Sequence, residues 1–133
     1  LEKSIAGVPS NVRVSLMGTT QHDDVMAYYC QNAVNLFVNT SSSEGLPVSI
    51  MEAISFGIPV IATDVGGTRE IVNTDTGRLI SADFSPEDLA AYISDYIKKD
   101  SVSYCTDREM VRKFWKNNFA AKANYDSFYR EMM

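Results

Sequence analysis

The stretch that most restricts what this chain can fold into spans residues 34–63, where two short apolar runs flank a small-residue loop and a helix-type segment. Val34-Asn35-Leu36-Phe37-Val38 and Pro59-Val60-Ile61-Ala62-Thr63 have the make-up of parallel strands buried on both faces. Residues 47–56 read as a helix, with Pro47 at its first position and Gly57 just past its end. Strand, loop, helix and strand within about 30 residues make a βαβ unit. Its loop, around Ser41 to Leu46, then lies at the carboxyl edge of the sheet, where open α/β sheets bind ligands.

The flanking sequence extends this pattern. Val12, Val14 and Leu16 alternate with polar residues and end at Gly18, which predicts a strand over 12–17. A polar stretch from Thr19 to Asp24 then caps a helix through about Gln31, with Val25, Met26, Tyr28 and Tyr29 as its packing face. Residues 68–72 read as a short helix, 73–77 as a turn and Arg78-Leu79-Ile80 as a last strand. Ser85-Pro86-Glu87-Asp88 opens a helix that carries Leu89, Ala90, Ile93, Tyr96 and Ile97 on one stripe. Thr106-Asp107-Arg108-Glu109 repeats the capping-box pattern and predicts a further helix start. The aromatics from Phe114, Trp115 and Phe119 to Tyr125, Phe128 and Tyr129 fall at helical spacing and read as core packing, while residues 1–9 read as a helix end entering a turn.

At 133 residues the chain suits a single domain with a real core. A net charge of −5 argues against a nucleic-acid footprint. No apolar run approaches the ~20 residues that span a bilayer, and the amino terminus carries no signal-peptide pattern. Cys30 and Cys105 stand apart with no metal-ligand spacing, the pattern of reduced thiols in a cytoplasmic protein.

The loop and the helix after it carry the chemistry. First-turn N–H groups and the positive end of the helix dipole can receive a diphosphate. Gly45 lets a ligand come close to the backbone. Glu52 lies among Ile50, Met51, Ala53 and Ile54, and a ribose diol offers a carboxylate there two O–H donors. Glu44 sits just before the helix, beside the place a sugar on the second phosphate would take. Each glutamate alone has an ordinary explanation, an anion at a helix start or a solvated helix face; the segment as a whole favours the ligand reading. His22 shows no nucleophile or carboxylate partner in the sequence and reads as a surface or capping residue. Arg69 reads as solvated beside Glu70, and Ser41, Ser42 and Ser43 as loop filler.

The run SSSEGLPVSIMEAISFGIPVIATDVGGTREIV resembles the E-x7-E segment of the retaining glycosyltransferases of family 4, which have the two-domain GT-B fold. The likeness rests on Glu44 and Glu52 together with the Glu-Gly-x-Pro turn, Ala53, Gly57, Pro59, the pair Gly66-Gly67 and Glu70, and it extends more faintly over residues 12–133. The fold it implies is a Rossmann-like three-layer α/β/α arrangement with a mostly parallel sheet, a truncated carboxyl-terminal half of a GT-B fold. It implies one partial nucleotide-sugar-binding domain over residues 1–133. The terminal helix, 119–133, would cross back onto an amino-terminal domain that is absent here. By this resemblance Glu44 is the catalytic residue against the transferred sugar, and Gly45, Leu46, Pro47 and Val48 contact the donor sugar or its phosphates. Glu52 binds the ribose, and the backbone of Met17, Gly18 and Thr19 contacts the base. No metal and no cofactor is implied; the donor is a nucleotide diphosphate sugar of UDP or GDP type.

The same resemblance implies a glycan or lipid-linked acceptor bound through the absent domain, surface-polysaccharide biosynthesis, and a cytoplasmic place or one on the inner face of the membrane. Strands and basic phosphate-clamping residues that such a domain carries earlier in its sequence have no counterpart here. Isolated, the chain is therefore expected to be inactive. The predicted strand at 12–17 must either pair with the one at 34–38 or be covered by another chain, and the aromatic face of the terminal helix, with no amino-terminal domain to dock on, is left as an orphan apolar surface open to a homodimer. Two other readings stay open: a nucleotide-sugar epimerase of the same fold, which would need acid/base residues not evident here, and a non-catalytic nucleotide-binding or assembly module.

Overall fold

The computed structural model describes residues 7–120, and its core is a three-stranded, wholly parallel sheet. In chain order the elements are α1 (His22–Gln31), β1 (Phe37–Asn39), α2 (Val48–Ser55), β2 (Val60–Thr63), α3 (Thr68–Ile71), β3 (Gly77–Ile80), α4 (Pro86–Ile97) and α5 (Ser101–Asn118). The strands lie in the order β1-β2-β3, with Phe37 opposite Val60 and Val60 opposite Gly77. This is the expected α/β class. The βαβ unit is present as read, with β2 buried at every position.

Burial explains why α2 forms where it does. Ile50, Ala53 and Ile54 fall on one face and are fully buried, meeting Val60, Ala62, Ile71, Val72 and Val111 in one cluster. Side chains of this kind contribute about 1.5–3 kcal/mol each when removed from water. Gly57 ends the helix with φ 71, and a side chain there would lie 2.8 Å from the Arg108 carbonyl oxygen, so α5 packs directly on the glycine. Phe114, Trp115 and Phe119 pack against the same cluster, as their spacing predicts. Arg108 fastens α5 in place: one nitrogen donates to the Val34 carbonyl at 2.7 Å and the other to the Phe56 carbonyl at 2.9 Å.

Several expectations are corrected. Residues 12–17 form no strand; Val12, Val14, Leu16 and Met17 are exposed, Met17 at 71%. Among the described residues the sheet has no strand on the far side of β1, so this segment has no ladder to join. For the same reason β1 is a short edge strand rather than a strand buried on both faces, and its Val38 is exposed. Pro47 is the cap of α2 instead of its first helical residue, because its ψ of 100 keeps it extended while its carbonyl accepts from Ile50 and Met51. Helix α1 starts at His22 with Gln21 as its cap, and it buries none of its residues fully. The helix expected at Thr106 begins at Ser101, since Asp100 accepts from the Val102 and Ser103 N–H groups and starts it earlier. Thr106 instead sits inside α5 and donates its hydroxyl to the Val102 carbonyl.

The opening of α4 is as expected, with Ser85 and Asp88 bonding reciprocally in a capping box. Expectations for residues 1–6 and for most of the terminal helix at 119–133 lie outside the described residues.

Candidate donor-binding site

Two loops at the carboxyl edge of the sheet, the one from β1 to α2 and the one from β2 to α3, are stitched together backbone to backbone. The Gly67 N–H donates to the Gly45 carbonyl at 2.9 Å. Gly66 has φ 53, and a side chain on it would overlap the Glu44 carbonyl oxygen. A Cβ on Gly67 would stand 2.9 Å from the Gly45 carbonyl oxygen. The paired glycines thus let one loop lie flat on the backbone of Glu44 and Gly45, which fixes where both residues stand.

Glu44 is half-buried and held from its own loop. The Asn39 amide, at the end of β1, donates to its Oε1 at 3.1 Å, and the backbone N–H of Ser41 donates in turn to Asn39 Oδ1 at 2.9 Å. The Ser41 hydroxyl first, and then the Asn39 amide, hold the Glu44 carboxyl below its usual range. The loop is tied to β2 as well, through the Thr63 hydroxyl donating to the Ser41 carbonyl. Ser41 is therefore a working part of the loop rather than filler.

Helix α2 opens beside this carboxylate. No side chain caps its start, and Gly45, Leu46 and Val48 around it are exposed, while Pro47 is buried. Its first N–H groups, at Val48 and Ser49, have no capping side chain, the arrangement that receives an anion. Arg69 is not free to help there, since it makes a two-point contact with Asp64 at 3.0 and 2.8 Å.

Glu52 lies one turn further along α2, off the buried face, with its side chain 23% exposed. His22 Nδ1 stands 3.1 Å from Glu52 Oε1, which corrects the expectation that His22 lacks a carboxylate partner. Tyr29, also on α1, packs its ring against Phe56 at 5.5 Å between centroids, and burial, then the Glu52 charge, push its phenol up. Residues 17–19 lie in the exposed loop just before α1, Gly18 with φ 64. The His22 contact ties the start of α1, and with it the end of that loop, to α2. Sequence reading missed Asn39, which bonds Glu44 within one loop but belongs to no motif, and His22 and Tyr29, which meet Glu52 from another helix.

A separate cavity of about 210 Å³ opens at the opposite, amino edge of the sheet, lined among others by Arg78, Tyr92, Tyr96 and Lys99. The Arg78 guanidinium lies 3.6 Å above the Tyr92 ring. Glu44 and Glu52 do not line this cavity.

A parallel α/β sheet with one carboxylate, Glu44, in a carboxyl-edge loop and a second, Glu52, on the uncapped helix that follows it places the chain in the α/β class. The chain belongs to the glycosyl transferases group 1 family, which it matches over residues 1–118. It is 35% identical over 89 residues to sulfoquinovosyl transferase SQD2 of Arabidopsis thaliana, a match that covers 67% of this chain and 16% of that protein. It is 34% identical over 86 residues to the lipopolysaccharide core biosynthesis mannosyltransferase LpsB of Rhizobium meliloti (strain 1021), covering 62% of this chain and 23% of the relative. Among solved structures, sucrose-phosphate synthase from Thermosynechococcus elongatus matches with a TM-score of 0.71 and 26% identity, over 90% of this chain and 30% of that one. The architecture is that of a truncated half of a GT-B fold. The chain thus spans a quarter or less of the length of these two relatives.

Proposed function

We propose that this chain is the donor-binding part of a glycosyltransferase that moves a hexosyl group from a nucleotide diphosphate sugar to a glycan or lipid-linked acceptor, with retention at the anomeric carbon. One observation carries the reading: Glu44 and Glu52 flank the uncapped start of α2, both half-buried, Glu44 bonded by Asn39 of its own loop and Glu52 beside His22 of α1. A diphosphate at that helix start puts the ribose toward Glu52 and the sugar toward Glu44. Gly45, Leu46, Pro47 and Val48 line the turn between them.

The chemistry on this reading is electrostatic. Charge develops on the departing diphosphate, and first-turn N–H groups already oriented toward it stabilise that charge without reorganising. Glu44 stays ionised through its Ser41 and Asn39 contacts and supports the positive character that grows on the sugar ring. A front-face or short-lived ion-pair route gives retention. The relatives named for lipopolysaccharide core and sulfoquinovosyl transfer support an acceptor on a surface glycan or lipid. A place on the inner face of the membrane fits such acceptors, and no helix among the described residues is long and apolar enough to cross a bilayer.

The test is donor binding and transfer with UDP and GDP sugars, on this chain and on a longer protein that carries an acceptor domain. Glu52→Ala should weaken donor binding about tenfold or more, and Glu44→Gln should abolish transfer while sparing binding. Wild-type transfer rates in both variants would defeat the assignment. The 133-residue chain alone should show no turnover, since its own described residues offer no acceptor domain.

A further inference from the structure

We propose that His22 is a positioning residue that sets Glu52 for the donor's ribose; this rests on the donor-site reading above. His22 is the first residue of α1, and its imidazole Nδ1 stands 3.1 Å from Glu52 Oε1. The two residues are far apart in sequence and on different helices, so tertiary packing alone creates the contact. With 64% of its side chain exposed against 23% for Glu52, the imidazole sits on the outer, solvent side of the carboxylate.

The geometry suits orientation better than chemistry. A carboxylate has two oxygens and about four acceptor sites, so a contact at Oε1 leaves Oε2 whole for a vicinal diol, which brings two O–H donors. A glutamate free to rotate must be ordered when the ligand arrives, and one already held loses less freedom on binding. His22 acts through Glu52 and does not itself reach the sugar. Asp23 and Asp24 follow it in the first turn of α1, and Tyr29, on the same helix, is the other titratable group that the Glu52 charge reaches.

An exposed ion pair contributes little to stability. That separates this role from a purely structural one: His22→Ala should leave the melting temperature nearly unchanged yet weaken donor binding about tenfold. His22→Asn keeps an N–H close to the position of Nδ1 and should recover most of that loss. Binding is read by saturation-transfer NMR and calorimetry on the 133-residue chain with UDP-glucose and GDP-mannose. His22 is the only histidine, so its ring ¹⁵N spectrum reports this side chain alone. Nδ1 should carry the proton in the wild type, and the preference should vanish in Glu52→Ala, which removes the acceptor.

Loss of binding in Glu52→Ala with wild-type binding in His22→Ala would overturn this proposal and leave the donor site standing. Unchanged binding in Glu52→Ala, or no binding of either sugar nucleotide by the wild type, would remove the donor-site reading and this proposal together. A wild-type ring spectrum with the proton on Nε2 alone would remove the positioning contact.

Discussion

Glu44 and Glu52 are the same residue type eight positions apart, yet their surroundings give them different work. Glu44 is held by Ser41 and Asn39 and titrates below the ordinary carboxylate range. Glu52 meets an imidazole and lies near a phenol. Asp100, the cap of α5, is also pulled low, by the Ser103 N–H foremost and then its hydroxyl. Both lowered groups bind protons less readily folded than unfolded. The stability they contribute is therefore present above the ordinary carboxylate range, near pH ~4, and is lost as pH falls through their lowered folded values. Urea unfolding should show Asp100→Asn less stable than wild type at neutral pH, with the gap closing in acid once the carboxyl is protonated. A gap that stays constant with pH would remove the cap from the account. At Gly66 the backbone itself sets the limit, since any side chain meets the Glu44 carbonyl at a positive φ. Gly66→Ala should cost about 1–3 kcal/mol or more and push the two loops apart. It should thereby weaken donor binding beyond its effect on the melting temperature, and calorimetry and thermal unfolding on the one variant check both.

At the scale of elements, α2 is the piece on which everything else is set. Its buried face anchors the core, and Ile54→Ala should cost about 2–5 kcal/mol, measured by urea titration. Helix α5 is locked to it through Arg108, which bridges the carbonyls that close α2 and precede β1. Arg108→Ala leaves both carbonyls without that donor, and a loss of about 1–3 kcal/mol is expected in the same assay. These elements also show what was legible. The βαβ unit, the last strand and the Ser85 cap are each encoded within a few residues: an apolar run, a glycine past a helix end, a serine three before an aspartate. The paired glutamates were legible as a motif together with Gly66-Gly67, and those glycines, on the neighbouring loop, are required where they lie against the backbone of Glu44 and Gly45. The start of α5 was misread because two capping patterns, at Asp100 and at Thr106, compete in one stretch. The Asp100 cap prevails because its carboxylate accepts from both the Val102 and the Ser103 N–H groups. His22 and Tyr29 were not legible as site residues, since α1 comes beside Glu52 only once the chain is folded, and Asn39 was passed over as the end of a strand.

At the scale of the whole molecule, the sheet of the described residues ends at β1, and that edge has consequences for behaviour in solution. Residues 12–17 keep the alternation of a strand but stand outside the ladder, with Val12, Val14, Leu16 and Met17 all exposed. On the edge strand itself, Val38 is exposed as well. An unpaired edge offers a row of N–H and C=O groups to any extended apolar segment, and this chain carries one of its own. Two copies can satisfy each other if the 12–17 segment of one adds to β1 of the other, a reciprocal exchange that closes as a dimer. The 133-residue chain is thus expected to self-associate as its concentration rises, with a sedimentation coefficient that increases accordingly. Val38→Lys places a charge on the edge strand, where it opposes strand addition without entering the core, and should hold the chain monomeric. Val14→Lys should act in the same direction from the other side of the contact. If both variants associate as strongly as the wild type, the edge is not the contact. If the wild type stays monomeric at every concentration that sedimentation can reach, the exposed segment has no affinity for the edge it resembles a partner for.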